Sequence, residues 1–497
     1  MSPAGLRRPD GVGAAVALAS GVVFVLHGFD GELSRDLGLY AYAGQRVADG
    51  APPYVGVMNR SGPLAHLVPG LGAVGARLVG IDDLLGMRVL FLVMSVACVW
   101  VVYLLGRDLY DNRLAGVVAA GLLVCVPGMI TYATGGPREK TTMMLLLALA
   151  LLAATRRRWW WAGAAVALTT LTWQPVLLPA LVAVVGAALL AEKGTRLRAV
   201  RAIVVGGSLV TAAMIAYFAA VGALREFRDG FVLIHLRYTY QPGLFNDLER
   251  QQEGLEEGFG ISLYFVVVGL SLLLLLALLE VVAPRRRRVP LSRTRVAFAV
   301  AALVGLLWSW RIFNGWADAL MLVPFAALGL GGLVALVDDV VPRRAGLVLA
   351  AAWILVVGAL GLDWSLHEGS RLLPKQRQEV DRVFAALAPE ATLLSVEAPQ
   401  PLVLTGRTNP TGQLMFRLGL ERYVDATWPG GLAGYAGTVR DEATTLVAVG
   451  RGARYPWLMP TLLGDYVPFG TSPGWYWYVR DDVDPATLVA LRAAVRG

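Results

Sequence analysis

The amino-acid sequence predicts a polytopic α-helical membrane protein that carries a small α/β domain at its C-terminal end. Three observations predict it: long apolar runs almost free of charge, basic clusters spaced between them, and a shift to polar, strand-forming composition from about residue 364. The 497 residues are 56% hydrophobic and only 16% charged, where a soluble domain carries about a quarter charged residues. Mean hydropathy is +0.59.

The apolar runs have the length that crosses a bilayer core as a helix, roughly 17–23 residues. Lipid offers no water to satisfy backbone N–H and C=O groups, so such runs must be helical. About eleven spans are read, over 11–29, 84–105, 114–133, 141–155, 159–174, 175–191, 202–221, 261–283, 296–312, 316–337 and 345–363. The spans 159–174 and 175–191 meet at Gln174-Pro175, where proline blocks one continuous helix.

Orientation follows from the basic clusters. These are Arg7-Arg8, Arg107 with Arg113, Arg156-Arg157-Arg158, Lys193 through Arg201, Arg285 to Arg288, and Arg343-Arg344. With eleven spans and a cytoplasmic N-terminus, all of them fall on the cytoplasmic side, as the positive-inside rule requires. The net charge of +8 is therefore mainly a topology signal, with some attraction to anionic membrane lipids. No basic run is interleaved with aromatics on a polar face, which excludes a nucleic-acid partner. Arg7-Arg8 ahead of Ala17, Ala19 and Ser20 has the outline of a signal peptide, but the apolar run continues to Phe29, and a retained span is expected. Cys98 and Cys125 lie within spans and read as small packing residues without metal-ligand spacing. The Gly, Ala and Arg content suggests a high-GC bacterium, hence a multi-pass protein of the bacterial plasma membrane with an extracytoplasmic C-terminal domain.

On this topology the outer face carries the loops 30–83, 134–140 and 222–260 and the tail 364–497. Chemistry is expected there, away from ATP and nucleotide sugars. There is no Walker sequence and no HExxH. A GxGxxG at Gly70, Gly72 and Gly75 follows no predicted strand and reads as close helix packing through small residues.

In the first loop, residues 36–48 place Leu37, Tyr40, Ala41, Gly44 and Val47 on one stripe at helical spacing. A helix lying along the membrane interface is expected, with Asp36 as its N-cap. An acidic group held at that depth, above a cavity between spans, also suits a catalytic base. The loop 134–140 ends in Gly135-Gly136-Pro137-Arg138-Glu139-Lys140, where Glu139 either positions a substrate or caps the following span. The middle loop holds His235, Arg237, Tyr238, Tyr240 and Pro242, expected on a second interfacial helix whose basic and aromatic residues face the cavity. Its Glu253–Gly258 stretch reads as a plain linker. The outer turn Trp308-Ser309-Trp310-Arg311-Ile312-Phe313-Asn314-Gly315-Trp316 is rich in aromatics and reads equally as an aromatic belt with a snorkelling Arg311 or as part of a site.

The order Asp36, Gly38, Tyr40, Tyr42, Gly50, Pro53-Tyr54 and Arg60-Ser61-Gly62-Pro63-Leu64 resembles the first outer loop of the GT-C glycosyltransferases that use polyprenyl-phosphate sugars. The likeness is to the branch of protein O-mannosyltransferases, lipid A aminoarabinose transferases and rhizobial core-oligosaccharide transferases. Those loops usually place a lysine before Pro-Leu; here the basic residue is Arg60, displaced by Ser61-Gly62. Many members pair two acidic residues at the start, whereas Arg35 precedes Asp36 here, so a divalent metal is left open and no metal ligand is assigned. The resemblance implies a GT-C-like membrane body over 1–363 and an extracytoplasmic α/β domain over 364–497. It implies transfer of a sugar from a polyprenyl-phosphate donor to a cell-envelope glycan, lipid or protein. Asp36 and Glu139 are then the catalytic candidates. Arg60, Arg138, Lys140, Arg237 and Arg311 would bind the donor phosphate, and Tyr40, Tyr54, His235 and Tyr238 the substrate.

Two other classes stay in view: a transporter or flippase of lipid-linked sugars, and a non-catalytic envelope-assembly protein. A transporter usually shows internal repeats and mid-span charge, neither of which is evident, and loss of the acidic residue would favour an assembly protein, yet Asp36 is present. In the tail, Pro374 to Leu387 has helical spacing, while Thr392–Val396, Thr444–Val449 and Trp475–Val479 read as strands. Trp428, Tyr435, Trp457, Tyr466, Trp475, Tyr476 and Trp477 are expected mostly in its core.

Overall fold

The computed structural model describes residues 10–239, 248–282, 293–312, 314–338, 343–453 and 455–496. The clusters Arg7-Arg8 and Arg285 to Arg288, and the middle-loop residues Tyr240, Pro242 and Asn246, lie outside the described residues. Helices occupy every apolar run read from the sequence. Among the described residues, Asp83–Tyr110, Lys193–Ala220, Ser262–Val282, Trp316–Val337 and Arg344–Ala385 are long and apolar enough to cross a membrane, and a bent pair makes up to six such stretches.

That bent pair corrects the sequence reading. The run 114–133 is two helices, Arg113–Val124 and Pro127–Gly135, bent by 69°. Pro127 has no N–H to give the preceding turn, and its ring clashes with that turn's carbonyl. The expected interruption at Gln174-Pro175 is present: helix Trp159–Thr172 ends, Gln174–Val176 forms a 3-10 turn, and Leu177–Leu189 resumes. The GxGxxG serves packing. A Cβ on Gly72 would lie 2.8 Å from Met87 Cα, so helix Leu64–Val79 presses its backbone on helix Asp83–Tyr110, as small residues permit. Cys98 and Cys125 are free and buried.

The first-loop helix runs Arg35–Ala48. Its N-cap is Ser34, whose Oγ accepts a 3.4 Å hydrogen bond from Leu37 N–H. Asp36 is thus a first-turn residue and not the cap expected of it, although a carboxylate there still faces the positive end of the helix dipole. Every residue from Leu37 to Gln45 is buried, so this helix is an inner layer, not a half-exposed interfacial one. The C-terminal helix Pro399–Thr405 covers its other face, close enough that a Cβ on Gly38 would lie 3.2 Å from Pro399 Cγ. The linker expected over Glu253–Gly258 is instead the end of helix Leu248–Phe259, seated against Trp316 through Gly258.

The tail holds a four-stranded sheet of β1 (Leu393–Val396), β2 (Leu446–Gly450), β3 (Tyr466–Ser472) and β4 (Trp475–Arg480), in the order β1-β2-β4-β3. β1 and β2 pair in parallel; β4 runs antiparallel to both of its neighbours. β3 escapes the sequence reading because Pro468 and Gly470 interrupt it. It is an edge strand with an irregularity between those residues, the place where a sheet tolerates proline. Trp475, Trp477 and Tyr435 are fully buried. The tail is tied to the first loop by buried polar contacts. Gln376 accepts from Leu33 N–H at 2.9 Å and donates to the Leu33 carbonyl at 3.1 Å. Tyr42 Oη accepts from Asn409 N–H at 2.8 Å.

Candidate active site

A cavity of about 560 Å³ opens where the first loop, the ends of several helices and the tail meet. Of the residues singled out in the sequence, Asp36, Tyr40, Arg60, Arg138, Glu139, Lys140 and His235 line it. They come from three segments far apart in the chain.

Their charges form one chain of contacts. Asp36 Oδ1 accepts from Arg35 at 2.9 Å, and Asp36 Oδ2 from Arg138 Nη1 at 2.8 Å. Arg138 Nε lies 3.2 Å from Glu139 Oε2, and Lys140 Nζ lies 3.3 Å from Glu139 Oε1. Lys140 Nζ also donates to Asp318 Oδ1 at 2.9 Å and sits 3.1 Å from the centre of the Trp173 ring. Lys140 is almost wholly buried, at 1% side-chain exposure, which a single ammonium tolerates only with such partners. Arg138 lies over the Tyr40 and Tyr132 rings at 5.5 and 5.7 Å.

Burial opposes ionisation of Asp36, but Arg138 and Arg35 outweigh it and hold its carboxyl well below the usual carboxylate range. Its side chain is 41% exposed at the cavity mouth, so solvent screens both pairs. Arg35 in turn reaches the tail through Glu397, 3.1 Å away and fully buried. Glu397 Oε1 accepts from the Phe416 and Arg417 N–H groups and from Tyr455 Oη.

Arg60 is held differently. Its carbonyl accepts from His235 Nε2 at 2.6 Å and from Gln174 Nε2 at 3.2 Å. A carbonyl only accepts, so His235 carries its proton on Nε2; burial lowers its pKa. Tyr40 Oη meets Ser61 Oγ at 2.8 Å, and Tyr54 Oη donates to the Ser61 carbonyl at 2.7 Å. Gly62 N–H donates to the Thr172 carbonyl at 3.1 Å. A Cβ on Gly62 would strike Leu171 O at 2.0 Å, so only glycine admits this close approach. The backbone is strapped down, while the Arg60 guanidinium has no hydrogen-bond or ion-pair partner among the described residues.

Four expected residues do not join the cavity lining. Tyr54 is buried behind it, beside His66 at 5.1 Å between ring centres, and supports the Arg60 loop. Arg237 is exposed and points elsewhere, because Asp229–Tyr238 is a wide π-helix whose His235, Leu236 and neighbouring Thr239 face the cavity instead. Tyr238 packs edge-on against Tyr423 of the tail at 5.6 Å. Arg311 is half-buried outside the lining, although Trp308, Ile312, Asn314 and Trp316 from its turn belong to it.

The sequence reading missed Asp318, Trp173 and the tail residues Glu397 and Arg417. Asp318 had a readable signal, an acid inside the apolar run 316–337, where charge is costly and usually functional. Glu397 and Arg417 had none, since only the folded tail brings them to the first loop. The donor set does not fit a divalent cation: Asp36 already bridges two guanidiniums, and Glu139 bridges Arg138 and Lys140. Among the described residues no three His, Cys, Asp or Glu side chains gather as metal ligands.

Comparison with known proteins bears on the fold. The sequence model of a family described as dolichyl-phosphate-mannose-protein mannosyltransferase matches residues 67–220. No curated protein sequence matches. The fold is similar to that of ArnT from Cupriavidus metallidurans bound to undecaprenyl phosphate, with a TM-score of 0.60 at 14% identity over 94% of this chain and 97% of that one. It is similar to the Archaeoglobus fulgidus oligosaccharyltransferase tethered to an acceptor peptide, with a TM-score of 0.51 at 14% identity over 95% of this chain and 74% of that one. It is also similar to the arabinofuranosyltransferase AftD from Mycobacteria, with a TM-score of 0.53 at 17% identity over 95% of this chain and 40% of that one. The chain has the GT-C fold, as the resemblance in its first loop implied.

Proposed function

We propose that this protein is an integral-membrane glycosyltransferase that moves a sugar from a polyprenyl-phosphate donor to an extracytoplasmic acceptor. The observation that carries this reading is the Arg60 guanidinium, without a hydrogen bond or ion pair among the described residues, in a cavity where Arg35, Arg60, Arg138, Lys140 and Arg417 outnumber Asp36, Glu139, Asp318 and the Glu397 that pairs with Arg35 and Arg417. Such a surplus, walled by Trp173, Trp308 and Trp316, suits a phosphate joined to a sugar and an apolar tail. The undecaprenyl phosphate held by the ArnT of the same fold supports the same donor class.

In this reading the acceptor hydroxyl oxygen attacks the anomeric carbon. The bond from that carbon to the phosphate oxygen breaks, its electron pair stays on the lipid phosphate, and the hydroxyl proton passes to Asp36. Arg60, Arg138 and Lys140 stabilise the charge gathering on the leaving phosphate. Pairing with two guanidiniums keeps Asp36 ionised but makes it a weak base. A donor phosphate competes for Arg138 and frees the carboxylate for proton transfer. Glu139 holds Arg138 and Lys140 in place, and Tyr40 and His235 fix the Arg60 loop. Residues 1–363 form the transferase body with eleven crossings and a cytoplasmic N-terminus in a bacterial plasma membrane, and 364–497 form an extracytoplasmic α/β domain.

The test uses purified protein and a panel of polyprenyl-phosphate sugars, mannose and arabinose among them, with release of polyprenyl phosphate as readout. Wild type releases it, and Arg60→Gln raises the donor KM about tenfold, the loss of one charge-assisted contact. Saturable donor binding without release under any acceptor would replace this reading with a lipid-linked sugar transporter.

A further inference from the structure

A second concavity of about 330 Å³ adjoins the first and shares Arg35, Asp36, Tyr132, Arg138 and Arg417 with it. Arg35, Arg138, Arg417 and Arg451 line it, and Asp36 is the sole carboxylate among its lining residues. The first residues of helix Arg35–Ala48 also line it, so the positive end of a fourteen-residue helix opens into the same space. Arg451 is exposed, and its side chain has no hydrogen bond or ion pair among the described residues. The neighbouring Arg417 is anchored, with its Nε 3.6 Å from the buried Glu397 and its Nη2 3.4 Å from the Arg451 carbonyl. Two of the four guanidiniums belong to the tail and two to the outer segments of the helical body.

We infer that this concavity binds the acceptor through an anionic group, a phosphate or a carboxylate, and that the tail supplies its selectivity through Arg417 and Arg451. The inference rests on the glycosyltransferase reading above for the word acceptor, while the anion site rests on geometry. Asp36, Glu139 and the buried Glu397 pair with Arg35, Arg138 and Arg417, so Arg451 leaves the space one positive charge in excess, which attracts anions and disfavours a cationic acceptor. Asp36 borders both spaces, so an acceptor held here has its hydroxyl within reach of Asp36. An anionic acceptor adds a partner to the exposed Arg451 that a neutral glycan does not.

The experiment compares matched oligosaccharide acceptors carrying a phosphate, a carboxylate or neither, at low and high salt, in wild type and Arg451→Glu. Arg451 is exposed, so the substitution does not disturb a core; Arg451→Gln separates loss of charge from its reversal. Wild type should favour one or both anionic acceptors. Arg451→Glu should raise their KM at least tenfold and Arg451→Gln by less, with the preference shrinking as salt screens it. Preference for the phosphate over the carboxylate, or the reverse, identifies the group. Equal use of the neutral acceptor by wild type, or an anionic KM unchanged within twofold in Arg451→Glu, overturns the inference. Direct binding of the same phosphorylated and carboxylated oligosaccharides is measured in parallel. Binding that Arg451→Glu weakens, without turnover of any donor, retains the anion site and rejects the transferase reading. No binding and no anionic preference rejects the site.

Discussion

His235 and Gln174 hold the Arg60 carbonyl, Tyr54 and Thr172 the backbone of Ser61 and Gly62, and Tyr40 the Ser61 hydroxyl, while the Arg60 guanidinium has no hydrogen bond or ion pair among the described residues. A loop so fixed places a free cation without loss of order when a phosphate arrives. Asp36 presents the opposite case, a group saturated by partners until substrate competes for them. Burial disfavours its charged form, yet Arg138 and Arg35 depress its pKa. A depressed carboxylate contributes stability above its unfolded value of about 3.9, and that contribution is lost only as pH falls through the lower folded value. Asp36 is therefore ionised throughout the neutral range in the free protein. The kcat/KM profile should show no acid limb from Asp36 between about pH 5 and pH 8. An acid limb in that window that disappears in Asp36→Asn would contradict the pairing.

At the scale of elements, Lys140 joins the start of helix Glu139–Thr155 to the 3-10 turn Trp316–Leu322 through Asp318. Removing Asp318 leaves the buried Lys140 ammonium with Glu139 as its one remaining carboxylate partner among the described residues, a loss of about 2 kcal/mol for one hydrogen bond to a charged group. Asp318→Ala should lower stability by that order in thermal or denaturant melting, and Asp318→Asn by less, since the amide oxygen still accepts from Lys140. Equal melting of all three proteins would show that the pair holds nothing together. The sequence exposed these helices well, because a bilayer-length apolar run has few alternatives to a helix. It was weaker at their ends. Pro127 signalled a break that a continuous apolar run concealed, and helix Leu248–Phe259 was concealed by its polar composition. Ser34 took the cap assigned to Asp36 because its hydroxyl stands three residues before the Leu37 N–H it accepts from.

Across the whole molecule, the site is a meeting of segments distant in sequence. Asp36, Arg60, Arg138, Glu139, Lys140 and His235 were legible because unusual charge or chemistry at the edge of an apolar run marks itself. Glu397, Arg417 and Arg451 were not, because they stand in a polar tail where charge is ordinary, and only tertiary packing sets them beside Asp36. The eleven-crossing topology is proposed from the basic clusters alone. With Cys98 and Cys125 replaced by alanine, single cysteines at Lys193 and Lys375 should be labelled by an impermeant maleimide from the cytoplasmic and extracytoplasmic side, respectively. Labelling of both from one side would break the topology and with it the extracytoplasmic placement of the site.

The central claim is that Asp36 takes the acceptor proton while the cations around it hold the donor phosphate. The most direct measurement is release of polyprenyl phosphate by purified wild type, Asp36→Ala and Asp36→Asn with a competent donor and acceptor, each protein checked by thermal melting. The account predicts release by wild type and a fall of about a hundredfold or more in both variants, with melting unchanged. Equal turnover by all three would remove Asp36 from the chemistry and turn attention to Glu139.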